Sequence, residues 1–258
     1  MKKIAIASAL LASFTVVGTA HAYQAEVGAS AGFIDPDRGS SSGTFGVDGT
    51  YYFKDVQTVD GPLAEAAFIN RASNVNLHYD YKDVGDNEAH RYGVGGEYFV
   101  PNSNWYFSGD LSREDVKRKY SGKNDTTLYS AEVGYFVTPN LLIAAGVKGY
   151  DNDFHDGTDP TIRAKYVAPL SNGAAINLEA AAAFGDLDEY SLAADYYFDK
   201  TFSVGVDYYD NDLTTQEEFG IKARKFFTPQ FSLEGRVGFG EVGSNDYNSF
   251  GVAAKYRF

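Results

Sequence analysis

From residue 23 to the end of the chain, apolar and polar positions alternate with a period of two, in runs of about ten residues broken by Gly, Pro, Asn and Asp. That period sends successive side chains to opposite faces of a strand. The last run is the clearest. Phe250, Val252, Ala254, Tyr256 and Phe258 share one parity, and Ser249, Gly251, Ala253, Lys255 and Arg257 share the other. The same reading predicts fourteen strands, at residues 23–33, 44–54, 74–82, 90–100, 105–114, 126–136, 141–150, 161–168, 175–185, 189–198, 201–209, 217–227, 231–239 and 247–258. An even count returns both termini to one side. Pro62, Pro101, Pro139, Pro169 and Pro229 all follow even-numbered strands, so that side carries mostly tight turns and would be periplasmic. Long strands with one apolar and one polar face suit a closed barrel with lipid outside and a polar lumen. The expected fold class is all-β, a transmembrane antiparallel β-barrel of about 14 strands.

The first 22 residues break this rhythm. Lys2 and Lys3 precede an apolar stretch at residues 4–17, and Ala20-His21-Ala22 fits the small-x-small cleavage rule. This reads as a signal peptide over 1–22, cleaved after Ala22, with a barrel domain over 23–258. The apolar stretch is too short for a membrane anchor. The chain has no cysteine, which excludes disulfides, thiolate metal sites and a lipid-anchored amino terminus. A closed barrel needs no such staple, because its ladder hydrogen bonds close on themselves. Tyr (20) and Phe (19) are abundant and Gly reaches 27, as strand-rich packing with tight turns requires. A formal net charge of −13 argues against a nucleic-acid partner.

Residues 55–73 interrupt the alternation a second time. Pro62 suits a helical start, and Leu63, Ala66, Ala67 and Asn70 recur at helical spacing. A short helix or compact turn is expected. Leu63, Ala66, Ala67, Phe68 and Ile69 should seek cover from water. Two covers satisfy that face, the membrane surface beside the rim or the barrel mouth. In the second case Leu63, Glu65, Phe68 and Arg71 form a periplasmic constriction, with Glu65 and Arg71 pairing with lumen charges such as Lys54 or Asp80.

The inward parity holds a dense set of charges. Its acids are Glu26, Asp48, Asp80, Glu97, Asp110, Glu132, Glu179, Asp195, Asp207, Glu218 and Glu234. Its bases are Arg91, Lys148, Arg163, Lys165, Lys222, Arg224, Arg236, Lys255 and Arg257, and His78 shares the face. Such groups cannot be packed dry without partners. A fourteen-stranded barrel also encloses more space than an eight-stranded one, which side chains can fill. A hydrated, pore-lining surface follows, narrowed by inward Tyr52, Tyr106 and Tyr197. The grouping of the charges in sequence suggests opposed basic and acidic walls; pairing across neighbouring strands is the structural alternative. Catalytic motifs are missing: there is no G-x-S-x-G and no H-E-x-x-H. No catalytic, cofactor or metal site is expected, and the acids at 151–159 lack the spacing of a calcium loop.

The run Gly-Pro-Leu-Ala-Glu-Ala-Ala-Phe-Ile-Asn-Arg-Ala-Ser at 61–73, together with the barrel plan and terminal Phe258, resembles a porin family of Gram-negative gamma-proteobacteria. Within it the chain is most similar to the small monomeric water-channel type found in Acinetobacter. The resemblance implies a fourteen-stranded monomeric channel in the cell outer membrane, passing water and small polar solutes by passive diffusion. It also implies that the first periplasmic turn narrows the exit. Phe258 would serve as the assembly signal read by the barrel assembly machinery, with periplasmic chaperones and outer-membrane lipid as further partners. The alternative is a structural or adhesive outer-membrane barrel without significant transport.

Overall fold

The computed structural model describes residues 22–84, 87–118, 122–170, 173–185 and 188–258. The segment read as a signal peptide lies outside the described residues, apart from Ala22. The chain forms β1 (Ala22–Pro36), β2 (Ser42–Gln57), a 3-10 turn (Leu63–Glu65), α1 (Ala66–Ile69), β3 (Asn74–Val84) and β4 (Asn87–Phe99). It continues with β5 (Trp105–Arg118), β6 (Gly122–Thr138), β7 (Leu141–Asn152), β8 (Asp156–Pro169) and β9 (Ala175–Ala183). The remaining strands are β10 (Glu189–Tyr197), β11 (Phe202–Asn211), β12 (Gln216–Phe226), β13 (Phe231–Val242) and β14 (Asn245–Arg257). Each strand pairs antiparallel with its sequence neighbours, and β1 pairs with β14, which closes a fourteen-stranded barrel.

Closure explains how these strands can stand in lipid. No water reaches the backbone in hydrocarbon, so each N–H and C=O needs a partner within the protein. At the seam Glu26 opposes Arg257 and Phe33 opposes Phe250. The last residue is part of the ladder. The Phe258 amide donates to Ala25 O at 3.0 Å, and the Gln24 and Ala25 amides donate to Phe258 O at 2.9 Å each.

The two parities separate cleanly. Leu77 (63% exposed), Val252 (60%) and Phe53 (58%) leave large apolar side chains uncovered, which is costly in water and favourable against lipid. Trp105, Tyr135, Tyr196 and Phe258 lie on the same outer face near the strand ends. There Tyr and Trp rings match the membrane–water boundary. Tyr52, Tyr106 and Tyr197 are buried on the other face.

Several strands run further than the alternation alone predicts. The pairing of β5 with β6 continues to Arg118 and Gly122, through charged residues that read as loop. Likewise β8 begins at Asp156 rather than at residue 161. Its hairpin with β7 is tight, since Asn152 Oδ1 accepts from the amides of Phe154 (2.9 Å) and His155 (3.0 Å). Beyond the membrane the strands no longer need an apolar face. Hydrophobic alternation fades there while ladder hydrogen bonding persists. On the opposite side, the β10–β11 turn is fixed by Asp199, which accepts from the Thr201 hydroxyl (2.6 Å) and from the amides of Thr201 (2.6 Å) and Phe202 (3.0 Å). These bonds, the hydroxyl first, hold its carboxyl below the usual carboxylate range.

A sealed barrel of this kind resists detergent until heated. Outer membranes containing the protein should show a band that migrates faster unheated than after boiling. Equal migration in both lanes, with the protein recovered from soluble periplasm, would contradict the fold's membrane placement.

Candidate functional site

The connection between β2 and β3 enters the barrel and crosses its mouth. Gly61 turns with φ +72, and a β-carbon there would stand 2.7 Å from Ile69 Cδ1. Pro62 then caps the 3-10 turn, which passes directly into α1. At the far side the Leu63 amide donates to Lys200 O at 2.9 Å, and Lys200 Nζ donates back to Val59 O. The returning chain is tied to the near wall. Lys54 Nζ donates to Asn70 O at 2.6 Å, Ser73 Oγ accepts from the Phe99 amide at 2.9 Å, and the Phe53 amide donates to Ser73 O at 2.9 Å.

Apolar packing seats this segment in two places. On one side Tyr23, Tyr52, Val56, Ala66 and Ala72 form a buried cluster with Ala67 against it. On the other, Phe68 packs on Phe99, Tyr106, Phe136 and Leu142, with its ring 5.4 Å from that of Phe136. Leu63 and Ala66 are buried and Phe68 packs on the second cluster, so most of the apolar face is covered inside the mouth; Ile69, expected to seek cover as well, stays exposed beside the Gly61 turn.

The polar contacts are directed across the lumen. Glu65 is buried; one oxygen accepts from Tyr197 Oη at 2.7 Å and the other lies 2.9 Å from Lys165 Nζ. Lys165 also contacts Glu179 at 2.8 Å, and its ammonium sits 5.2 Å from the centre of the Phe68 ring. Arg257 Nη1 donates to Leu63 O at 2.8 Å. Arg71 donates to Ser103 O (3.1 Å) and Asn104 Oδ1 (3.2 Å) and lies 4.0 Å over the Phe136 ring. The expected pairing of Glu65 and Arg71 with Lys54 or Asp80 is therefore corrected. The segment spans the mouth, which carries Glu65 to the opposite wall and leaves Lys54 to hold the Asn70 carbonyl.

The inward charges form a woven lattice. Glu26 contacts Lys255 (3.0 Å) and Arg257 (2.5 Å), and Lys255 reaches on to Asp48 at 3.6 Å. Arg224 pairs with Glu234 (2.6 Å), Lys222 with Asp195 (3.1 Å), and Arg236 with both Asp207 and Glu218 (2.5 Å to the latter). Arg163 bonds Glu132 at 2.7 Å and Tyr106 Oη at 3.1 Å, and Tyr106 donates to Glu97 at 2.6 Å. Lys148 crosses to Glu189 at 2.6 Å.

Several of these bridges skip a strand, and glycine clears the way. A β-carbon on Gly205, between Asp195 and Lys222, would fall 2.2 Å from Asp195 Oδ1. One on Gly220, between Asp207 and Arg236, would fall 2.3 Å from Arg236 Nη2. This reach neutralises each basic cluster locally, so the lumen does not present the opposed basic and acidic walls suggested by the sequence. The β3–β5 side is looser. His78 lies 3.8 Å from Asp110, Arg91 donates to Ser112 at 3.3 Å, and Asp80, although opposite Arg91 in register, makes no ion pair with it.

Sequence reasoning missed Tyr197 as the partner of Glu65, Glu189 as the anchor of Lys148, and the inward apolar patch of Phe99, Phe136 and Leu142. The last left a signal. All three sit at strand ends beside the tight turns and break the polar inward parity, as a surface awaiting a cover would. Among the described residues no group of three metal-ligating side chains occurs.

Removing one member of a buried ion pair costs about 3 kcal/mol. Glu65→Ala should thus shift the segment from docked toward free on the order of 100-fold. Trypsin cleavage after Arg71 in detergent-folded protein should accelerate accordingly. An unchanged cleavage rate would show that Glu65 does not hold the segment.

Comparison with known proteins agrees with this architecture. A family model described as "Putative general bacterial porin" matches residues 1–156 and 143–258. The crystal structure of the Acinetobacter baumannii outer membrane protein Omp33 is similar at 31% identity, covering 92% of this chain and 99% of that one, with a TM-score of 0.72. The CymD monoaromatic hydrocarbon channel (9% identity, 92% and 89% covered, TM-score 0.57) and the P. putida toluene transporter TodX (9%, 93% and 91%, 0.54) share the fold. No curated protein sequence matches the chain. The chain belongs to the general bacterial porin family and is an outer-membrane β-barrel channel, not an enzyme.

Proposed function

We propose that this porin is a narrow, water-filled channel for passive diffusion of water and small polar solutes, with the docked segment as its periplasmic constriction. The observation that carries this reading is the lumen itself. A face carrying ion pairs and loosely held groups such as Asp48, Asp80, His78, Arg91 and Asp110 is wettable along its length. The contacts that Leu63, Glu65, Phe68 and Arg71 make across the mouth support a constriction there. Charge-lined walls disfavour apolar solutes, which would displace water without replacing its hydrogen bonds.

The remaining pore-lining groups, Glu26, Glu97, Glu132, Lys148, Arg163, Lys165, Glu179, Asp195, Asp207, Glu218, Lys222, Arg224, Glu234, Arg236, Lys255 and Arg257, act mainly by fixing the lumen's shape. The solute then meets rigid dipoles and not mobile charged arms. A signal peptide cleaved after Ala22 would leave β1 to begin at Tyr23, which pairs with Val56 of β2. Recognition of Phe258 by the assembly machinery, after escort by chaperones, fits its place in the closing ladder.

Proteoliposome swelling tests the transport reading. Vesicles holding folded protein should swell with the smallest polar solutes and progressively less with larger sugars. If no small solute causes swelling although heat-modifiability verifies folding, the barrel is structural or adhesive.

A further inference from the structure

Where the docked segment leaves the mouth, a cavity of about 840 Å³ opens at the periplasmic rim. Its walls combine two surfaces. Phe53, Tyr98, Trp105 and Tyr135 come from the lipid-facing parity of β2, β4, β5 and β6 and are roughly half exposed. Lys54 and Arg71 bring two cations, and no Asp or Glu lines the cavity. In a chain of net charge −13 that sign is unusual.

Among the described residues neither cation makes an ion pair. Lys54 holds only the Asn70 carbonyl, and Arg71 uses Nη1 on Ser103 O and Asn104 Oδ1. A guanidinium has five N–H donors, so Nε and Nη2 of Arg71 remain without a hydrogen bond to a described residue. Stacking on Phe136 at 4.0 Å fixes the plane of the group. Trp105 meets Tyr135 edge to face, with centroids 5.2 Å apart, so the aromatic wall is also ordered.

We propose that this cavity binds the headgroup of an anionic phospholipid of the periplasmic leaflet. The aromatic wall lies on the face of the barrel that meets lipid, at the level where Trp and Tyr take headgroup and glycerol contacts. The phosphate would meet Lys54 and Arg71, and the acyl chains would run along the outer face. Charge complementarity selects an anionic lipid over a zwitterionic one, because two unpaired cations with no carboxylate between them favour excess negative charge. A free phosphate offers the same anion but leaves the aromatic wall unfilled. Bound lipid would also brace the exit of the docked segment, since Asn70 and Arg71 belong to both.

The chain contains a single tryptophan, Trp105, so its fluorescence reports on this cavity alone. The protein is reconstituted in phosphatidylcholine vesicles in which an equal mole fraction of lipid is replaced by brominated phosphatidylcholine or brominated phosphatidylglycerol. At least twofold stronger quenching by the brominated phosphatidylglycerol is expected. That preference should fall to parity in Lys54→Gln/Arg71→Gln and to an intermediate value in Lys54→Gln, which leaves the segment's Arg71 contacts in place. Equal quenching by the two lipids in the parent protein overturns the proposal, as does a preference that survives in both variants. Loss of the preference on adding millimolar inorganic phosphate at constant ionic strength would assign the site to a free anion and also overturn it.

Discussion

Arg257 sits where the two ends of the barrel meet and is buried there. Its Nε lies 2.5 Å from Glu26 Oε2 across the β1–β14 seam, its Nη1 holds the Leu63 carbonyl at 2.8 Å, and its guanidinium lies between the rings of Tyr23 and Phe226, 4.6 and 4.7 Å away. A buried charge without a partner costs several kcal/mol. This one holds Glu26 when the seam is in register and gains the Leu63 carbonyl when the segment is docked. Barrel closure and docking of the segment thus share one residue. The planar fork of arginine suits that double role better than a lysine ammonium.

Around the rest of the wall the same logic repeats with smaller units. Bases on β8, β12, β13 and β14 meet acids one or two strands away, over glycines that leave room for the crossing side chain. Pairing meets the desolvation cost that packed charges would otherwise carry, and the skipped-strand bridges stiffen the wall against shear. The docked segment extends this lattice through Glu65, which inserts beside the Lys165–Glu179 pair and takes the Tyr197 hydroxyl. Apolar packing of Phe68 on Phe136 and of Ala66 near Val56 supplies the non-directional part of its hold.

Much of this is legible in the sequence. Alternation in a barrel is imposed residue by residue by lipid on one side and water on the other, so strands such as 74–82 and 141–150 stood out. The helical interruption at 61–73 was visible because Pro62, Leu63 and Ala66 follow a different period. Partners across the lumen were not legible, because Glu65 and Tyr197 are far apart in sequence and no local spacing links them. The outer strand extensions, as at 156–160, also escaped notice. They carry ladder hydrogen bonds without a lipid-facing stripe, and hydrophobicity is silent about hydrogen bonds alone. Phe99, Phe136 and Leu142 could have revealed the docking surface, since an apolar side chain on a wet face needs a cover.

The central claim is that the segment between β2 and β3 sets the width of the passage. Single-channel conductance measures this most directly, on protein in which residues 63–71 are replaced by a short Gly–Ser linker. The barrel closes through β1 and β14 without those residues, and Lys165 keeps Glu179, so the variant should fold with the same heat-modifiable shift. A severalfold rise in conductance over the parent is predicted. A folded variant conducting at the parental level would contradict the account.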